Sequence, residues 1–169
     1  QRQMCIRDRL VSVINVANAA GIKTHWLSNQ TKYGFGNNFI GNLASEASDT
    51  EYLNEAAMGT SRNRSRSYDG RLLPLLQQRL ALEQQQSQLL FLHLLGSHSS
   101  YSKRYPNAFE YFTAASQLSI RGEQLQATDE INEYDNSVLY NDYVINAVIE
   151  QLAAKQCVCI MVYLSLIHI

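Results

Sequence analysis

Residues 88–106 read QLLFLHLLGSHSSYSKRYP, a nearly continuous apolar run that breaks at Gly96 into a polar, basic tail. Apolar residues without alternation, bounded by polar ones, are the pattern of a strand covered on both faces, as in a parallel sheet between helices. Just upstream, Leu72, Leu73, Leu75, Leu76, Leu80 and Leu82 recur at helical spacing. They predict a helix within residues 68–86, with Asp69 available as its N-terminal cap and Pro74 tolerated in the first turn. The same order occurs earlier in the chain. Leu10, Val13, Ile14, Val16 and Ala17 predict an amphipathic helix over 10–20 that Gly21 stops, and the strand-like IKTHWLSN follows. Helices feeding strands in this way predict an α/β domain with a mostly parallel sheet flanked by helices.

The Gly- and Asn-rich YGFGNN leads into a short helix over 39–46, and EYLN is read as a short strand. Residues 55–67, with SRNRSRS, read as a solvated loop, and 96–127 as a long irregular connection of the length that usually carries function. From Thr128 or Asp129 to Ala154, the positions Ile131, Tyr134, Val138, Ile145, Val148, Ile149 and Leu152 predict a helix with an apolar stripe and an acidic first turn.

The 169 residues are 46% hydrophobic, enough for one sizeable core, and carry 14 basic against 15 acidic groups. A formal net charge of -1 gives no global field for nucleic acid, so any anion affinity must be local. The apolar run at 89–95 falls far short of the roughly 20 residues that span a bilayer. Cys5, Cys157 and Cys159 lie near the ends, which argues against a disulfide framework, and the C-x-C pair has no companion ligands. QRQMCIRDR and VYLSLIHI resemble translated adapter sequence. Residues 1–9 and 157–169 are therefore read as artefactual termini around a domain at 10–156, and His168 is set aside as a ligand.

In open α/β sheets ligands gather beyond the carboxyl ends of the strands. One predicted strand releases Ser28, Asn29 and Gln30. The other releases Gly96, Ser97 and His98, followed by Ser99, Ser100, Lys103 and Arg104. A glycine to turn on, hydroxyls and amides to bond oxygen, and a histidine to meet an anion or a metal suit a phosphoester. Ordinary loop structure yields the same pattern and is the commoner source of it. Lys103 and Arg104 read equally as a phosphate clamp or as exposed charges. His93 shares a strand face with Phe91 and Leu95 and reads as a buried structural histidine, as does His25. Arg62, Arg64 and Arg66 read as a solvated loop in preference to an anion site, and Asn132, Asp135, Asn136 and Asp142, which could polarise a site, read as solvated or capping. There is no Ser-His-Asp set, P-loop or dinucleotide fingerprint.

Three blocks taken in order, GIKTHWLSNQ at 21–30, LLFLHLLGSHSSYSKRYP at 89–106 and INEYDNSVLYNDYVINAVIEQL at 131–152, resemble the catalytic domain of phosphoethanolamine transferases. These are sulfatase-like members of the alkaline phosphatase superfamily. The H-x-x-G-S-H group with its Lys-Arg-Tyr-Pro is the most specific part, and SYDGRLLPLL also fits the family.

The resemblance implies a sulfatase-like fold, present here incompletely, and a two-step transfer. A zinc-bound threonine attacks phosphatidylethanolamine, diacylglycerol leaves, and phosphoethanolamine passes to lipid A, lipopolysaccharide core or a glucan. Carried over by position, His98 matches a histidine that contacts the phosphoethanolamine or an auxiliary zinc, and Asn29 and Gln30 match residues lining the substrate site. With Ser97, Lys103 and Arg104 they form the expected substrate-binding set. The family's glutamate ligand and threonine nucleophile precede the first block, and its Asp-His metal pair follows the last. No catalytic residue is expected in this chain, which should be inactive alone. The family's membrane helices, which would tie it to the bacterial inner membrane with this domain in the periplasm, are likewise expected outside it. A sulfatase-like phosphohydrolase or phosphoglycerol transferase is the alternative enzyme reading, and an anion-binding module the non-enzymatic one.

Overall fold

The computed structural model describes residues 11–32, 38–54, 67–82, 87–113, 117–120, 123–126 and 128–155. The two termini read as artefactual, the three cysteines and the Arg62, Arg64 and Arg66 series lie outside them. The elements run α1 (Val13–Ala19), β1 (Lys23–Thr31), α2 (Asn38–Ala44), β2 (Asp49–Asn54), a 3-10 turn at Asp69–Arg71, α3 (Leu72–Leu82) and β3 (Gln88–His93). Two further 3-10 turns, Tyr101–Lys103 and Asn107–Phe109, precede β4 (Gln117–Ile120), β5 (Glu123–Gln126) and α4 (Asp129–Ala153).

Ser12 starts α1 by accepting from the Asn15 amide at 3.1 Å. The helix ends where the sequence says it should. Gly21 takes φ +75°, its amide bonds Asn18 O at 3.0 Å, and the Ile22 amide bonds Ala17 O at 2.9 Å, a Schellman closure. Of the predicted stripe, Leu10 lies outside the described residues; Ile14 and Ala17 are buried, and Val13 and Val16 are exposed.

β1 lies between β2 and β3, parallel to both, so the predicted parallel sheet is present. The strand covered on both faces is β1, buried without interruption from Thr24 to Asn29. The expectation had assigned that place to β3, which is only half-buried along its length and sits at an edge of the described sheet. Alternation divides β1 between two layers. Trp26 packs with Ile14 of α1 and Ala44 of α2 and stacks on Phe91 at 5.3 Å. On the other face, His25 sits buried with Nδ1 3.4 Å from Asp49, and Arg79 of α3 pairs with Asp49 at 2.7 Å and Glu51 at 3.0 Å. This is the helix-flanked α/β arrangement expected of a sulfatase-like fold.

The structure departs from four other expectations. The connection over 96–127 is not wholly irregular, because β4 and β5 form an antiparallel hairpin within it. Ser67, placed in a solvated loop, is buried. In α4, capped by Thr128, the buried face is Asn132, Asn136, Ser137, Tyr140, Val144 and Val148, while Ile131 and Ile149 are exposed. Asn136 was read as solvated or capping. Instead its Oδ1 accepts from the amides of Tyr111 at 2.9 Å and Phe112 at 2.8 Å, and its Nδ2 donates to Phe112 O at 2.8 Å. A buried amide outranks an aliphatic residue here because it satisfies three backbone groups at once.

Tyr140 joins α4 to the turn before α3 through a bond from the Gly70 amide to its hydroxyl at 3.1 Å. A Cβ on Gly70 would lie 2.6 Å from that oxygen, and 3.7 Å from Tyr140 Cζ. Gly70→Ala should therefore destabilise the fold by about 1–3 kcal/mol. Tyr140→Phe removes the clashing atom, so urea denaturation should show the double variant losing less than the sum of the two single losses. Additivity within about 0.5 kcal/mol would contradict the contact.

Candidate functional site

The carboxyl ends of β1 and β3 lie side by side because the strands are parallel and in register from Lys23 with Gln88 to Ser28 with His93. That register puts Ser28 Oγ 3.1 Å from His93 Nδ1. Gln30, one step on, donates from Nε2 to Leu94 O at 2.7 Å, and its amide bonds Ser28 Oγ at 3.0 Å.

Behind this edge lies Asp69, 4% exposed. Its Oδ1 accepts from Asn29 Nδ2 at 2.7 Å and from the Leu95 amide at 2.9 Å; Oδ2 accepts from the Gly96 amide at 2.8 Å. Asp69 was expected to cap the following helix, but its carboxylate turns away to the far strand end, and Tyr68, with no side-chain bond, holds the cap position of the turn. Sequence reasoning missed Asp69 as a site residue. The signal that could have found it is its place in SYDGRLLPLL, next to a helix start but before a strand ending in Leu-Leu-Gly.

Asn29 is fully buried. Besides Asp69, its Oδ1 accepts from Ser67 Oγ at 2.6 Å and Asn54 Nδ2 at 3.2 Å, and its backbone carbonyl also accepts from Asn54. Ser67 Oγ in turn accepts from Arg71 Nη1 at 2.9 Å. The chain leaving β3 turns at Gly96, φ +53°, where a side chain is rarely tolerated. Ser97 is half-buried beyond it and His98 is exposed. Arg104 folds back beneath, donating from Nε to His98 O at 3.2 Å and from Nη2 to Ser99 O at 2.8 Å. Lys103 stands exposed on the turn between them. The structure thus brings Ser97, His98, Lys103 and Arg104 into one loop and places Asn29 and Gln30 behind and beside it.

His93 is drawn below its ordinary value of 6.5, first by burial and then by the His98 charge, against a smaller opposing pull from Asp69. Its ring meets Trp26 edge-on at 5.5 Å and reaches a crevice lined by Thr31, Lys32, Ile40, Gly41 and Tyr52. Among the described residues, no three His, Cys, Asp or Glu side chains converge to hold a metal. The described residues therefore do not complete a zinc site by themselves.

Residues 5–165 match the family model described as Sulfatase. The chain is 29% identical over 154 residues to "Phosphoethanolamine transferase EptC" of Escherichia coli strain K12, covering 91% of this chain and 26% of that protein. It is 36% identical over 98 residues to the "Kdo(2)-lipid A phosphoethanolamine 7''-transferase" of the same strain, covering 57% of this chain and 17% of that one. A crystal structure of the C-terminal periplasmic domain of EptC from Escherichia coli, in complex with Zn, superposes with a TM-score of 0.72 at 28% identity, covering 85% of this chain and 39% of that one. The chain thus spans about a quarter of the length of the EptC relative, 26%.

A lowered His93 value has a definite consequence for stability. The unfolded chain takes up the proton first, so stability is complete above pH 6.5 and declines as pH falls through that value towards the folded one. Titration of the histidine ring protons by NMR should place His93 below 6.5 and should show it moving up in His98→Ala. A midpoint at or above 6.5 in the wild-type chain would contradict the assignment.

Proposed function

Because the chain belongs to the sulfatase family, we propose that it forms part of a transferase moving phosphoethanolamine from phosphatidylethanolamine to a cell-envelope glycolipid or glycan, such as lipid A or lipopolysaccharide core. The observation that carries this reading is the loop at the end of β3. A positive-φ glycine, a hydroxyl and an exposed histidine are set there on a buried carboxylate, at the edge where an α/β sheet receives ligands. Relatives named for phosphoethanolamine transfer, one of them to Kdo(2)-lipid A, support the donor group and the acceptor class. Zinc is inferred as the whole protein's cofactor from the EptC domain solved with Zn.

In this reading His98 donates to a phosphoryl oxygen of the donor, Ser97 offers its hydroxyl, and Lys103 adds a mobile cation nearby. Arg104 stiffens the loop by bonding its carbonyls. Asn29 acts from behind, through Asp69, since no part of it is exposed. Gln30 ties the two strand ends together through Leu94. The bacterial inner membrane, with this domain facing the periplasm, is the proposed location, as in the periplasmic domain of EptC. Among the described residues no helix is long and apolar enough to cross a membrane.

The test is to express the full-length protein carrying this segment in a bacterium stripped of its own phosphoethanolamine transferases and to weigh its lipid A and core oligosaccharide by mass spectrometry. The wild type should add phosphoethanolamine to one of them, and His98→Ala should lower the rate about a hundredfold, the scale of losing one preorganised donor. An unmodified envelope with the wild type would refute the activity, and full activity in His98→Ala would reduce His98 to loop structure.

A further inference from the structure

Amides at the turn beyond a strand commonly meet a ligand's anionic oxygens. Here the two that leave β3, on Leu95 and Gly96, both donate to the carboxylate of Asp69. Asp69 thus occupies from inside the place a bound anion would take from outside. We propose that Asp69 is a positioning residue: it holds the turn at Gly96 so that Ser97 and His98 face the ligand, and leaves recognition of the phosphoryl group to side chains and not to the Leu95 and Gly96 amides. This deepens the transferase reading and rests on it.

Three features of the geometry support the assignment. The three donors come from two separate places: the end of β1 through Asn29, and two successive residues past β3. Asn29 has no freedom to adapt, because its Oδ1 accepts from both Ser67 and Asn54. The carboxylate is also oriented from its own side, since the neighbouring Gly70 amide is held by Tyr140 at 3.1 Å. A helix cap would need none of these. An asparagine at 69 keeps the shape but turns one acceptor into a donor facing an N–H group, which releases part of the turn.

The experiment is a double-mutant cycle in the full-length protein, reading diacylglycerol release from a fluorescent phosphatidylethanolamine in detergent micelles. Asp69→Asn should lower kcat/KM about a hundredfold, the scale of an ångström-sized misplacement of a binding group. Because Asp69 acts through His98, adding Asp69→Asn to His98→Ala should cost little more than His98→Ala alone. If Asp69→Asn fails to fold, Tyr140→Phe loosens the same turn without touching the carboxylate. It should give a smaller loss with the same non-additivity. Losses that multiply, or a well-folded Asp69→Asn with unchanged kcat/KM, would overturn the positioning role while leaving the transferase reading intact. A wild type that releases no diacylglycerol would overturn both.

Discussion

One buried carboxylate and the three N–H groups that point at it hold the working edge of this molecule together. A parallel strand that stops leaves its next amides without a neighbour, and a buried amide without a partner is costly. β3 stops at His93, and the amides of Leu95 and Gly96 would be such orphans. A buried carboxylate lacking donors would be costlier still. Each solves the other's problem: Asp69 at 4% exposure has three donors, two from the strand end and one from Asn29. The bonds reach across the chain order and tie the turn before α3, the end of β1 and the exit from β3 to one carboxylate.

The rest of the site follows from that closure. With Leu95 and Gly96 fixed, Gly96 turns at φ +53° and His98 emerges exposed, while Arg104 fastens the loop's carbonyls from below. The polar centre of β1 also makes sense in this light. Thr24, His25, Ser28 and Asn29 are all buried, which is unusual for a central strand, yet each has a side-chain partner, His25 through Nδ1 and not Nε2. Thr24 donates to Asn18 at 2.7 Å, His25 faces Asp49, Ser28 meets His93 and Asn29 meets Asp69. Burial and the neighbouring His98 charge hold His93 below its ordinary value.

Much of this was legible in the sequence where the cause is local. Gly21 announces a left-handed stop, and Leu89 to Leu95 announce a strand. The helix-strand order announces the class, and the Gly-Ser-His group at a strand end marks the loop. What was not legible depends on partners far along the chain. Asp69 beside a helix start looks like a cap, and nothing nearby tells that its acceptors are claimed 26 and 27 residues later. Asn136 looks like a solvated helix residue until the chain at Tyr111 and Phe112 is laid against it. The apolar stripe of α4 misled for the same reason: the backbone at Tyr111 and Phe112 and the Gly70 amide select Asn136 and Tyr140 for the buried face, while Ile131 and Ile149 are exposed.

Amide hydrogen exchange reports whether the carboxylate of Asp69 closes the strand end. Leu95 and Gly96 lie past the last residue of β3 at His93. If Asp69 holds them, their amides should exchange slowly, at rates matching amides within the sheet, while those of exposed Ser99 and Ser100 exchange fast. Exchange at Leu95 and Gly96 as rapid as at Ser99 would mean that Asp69 does not hold them.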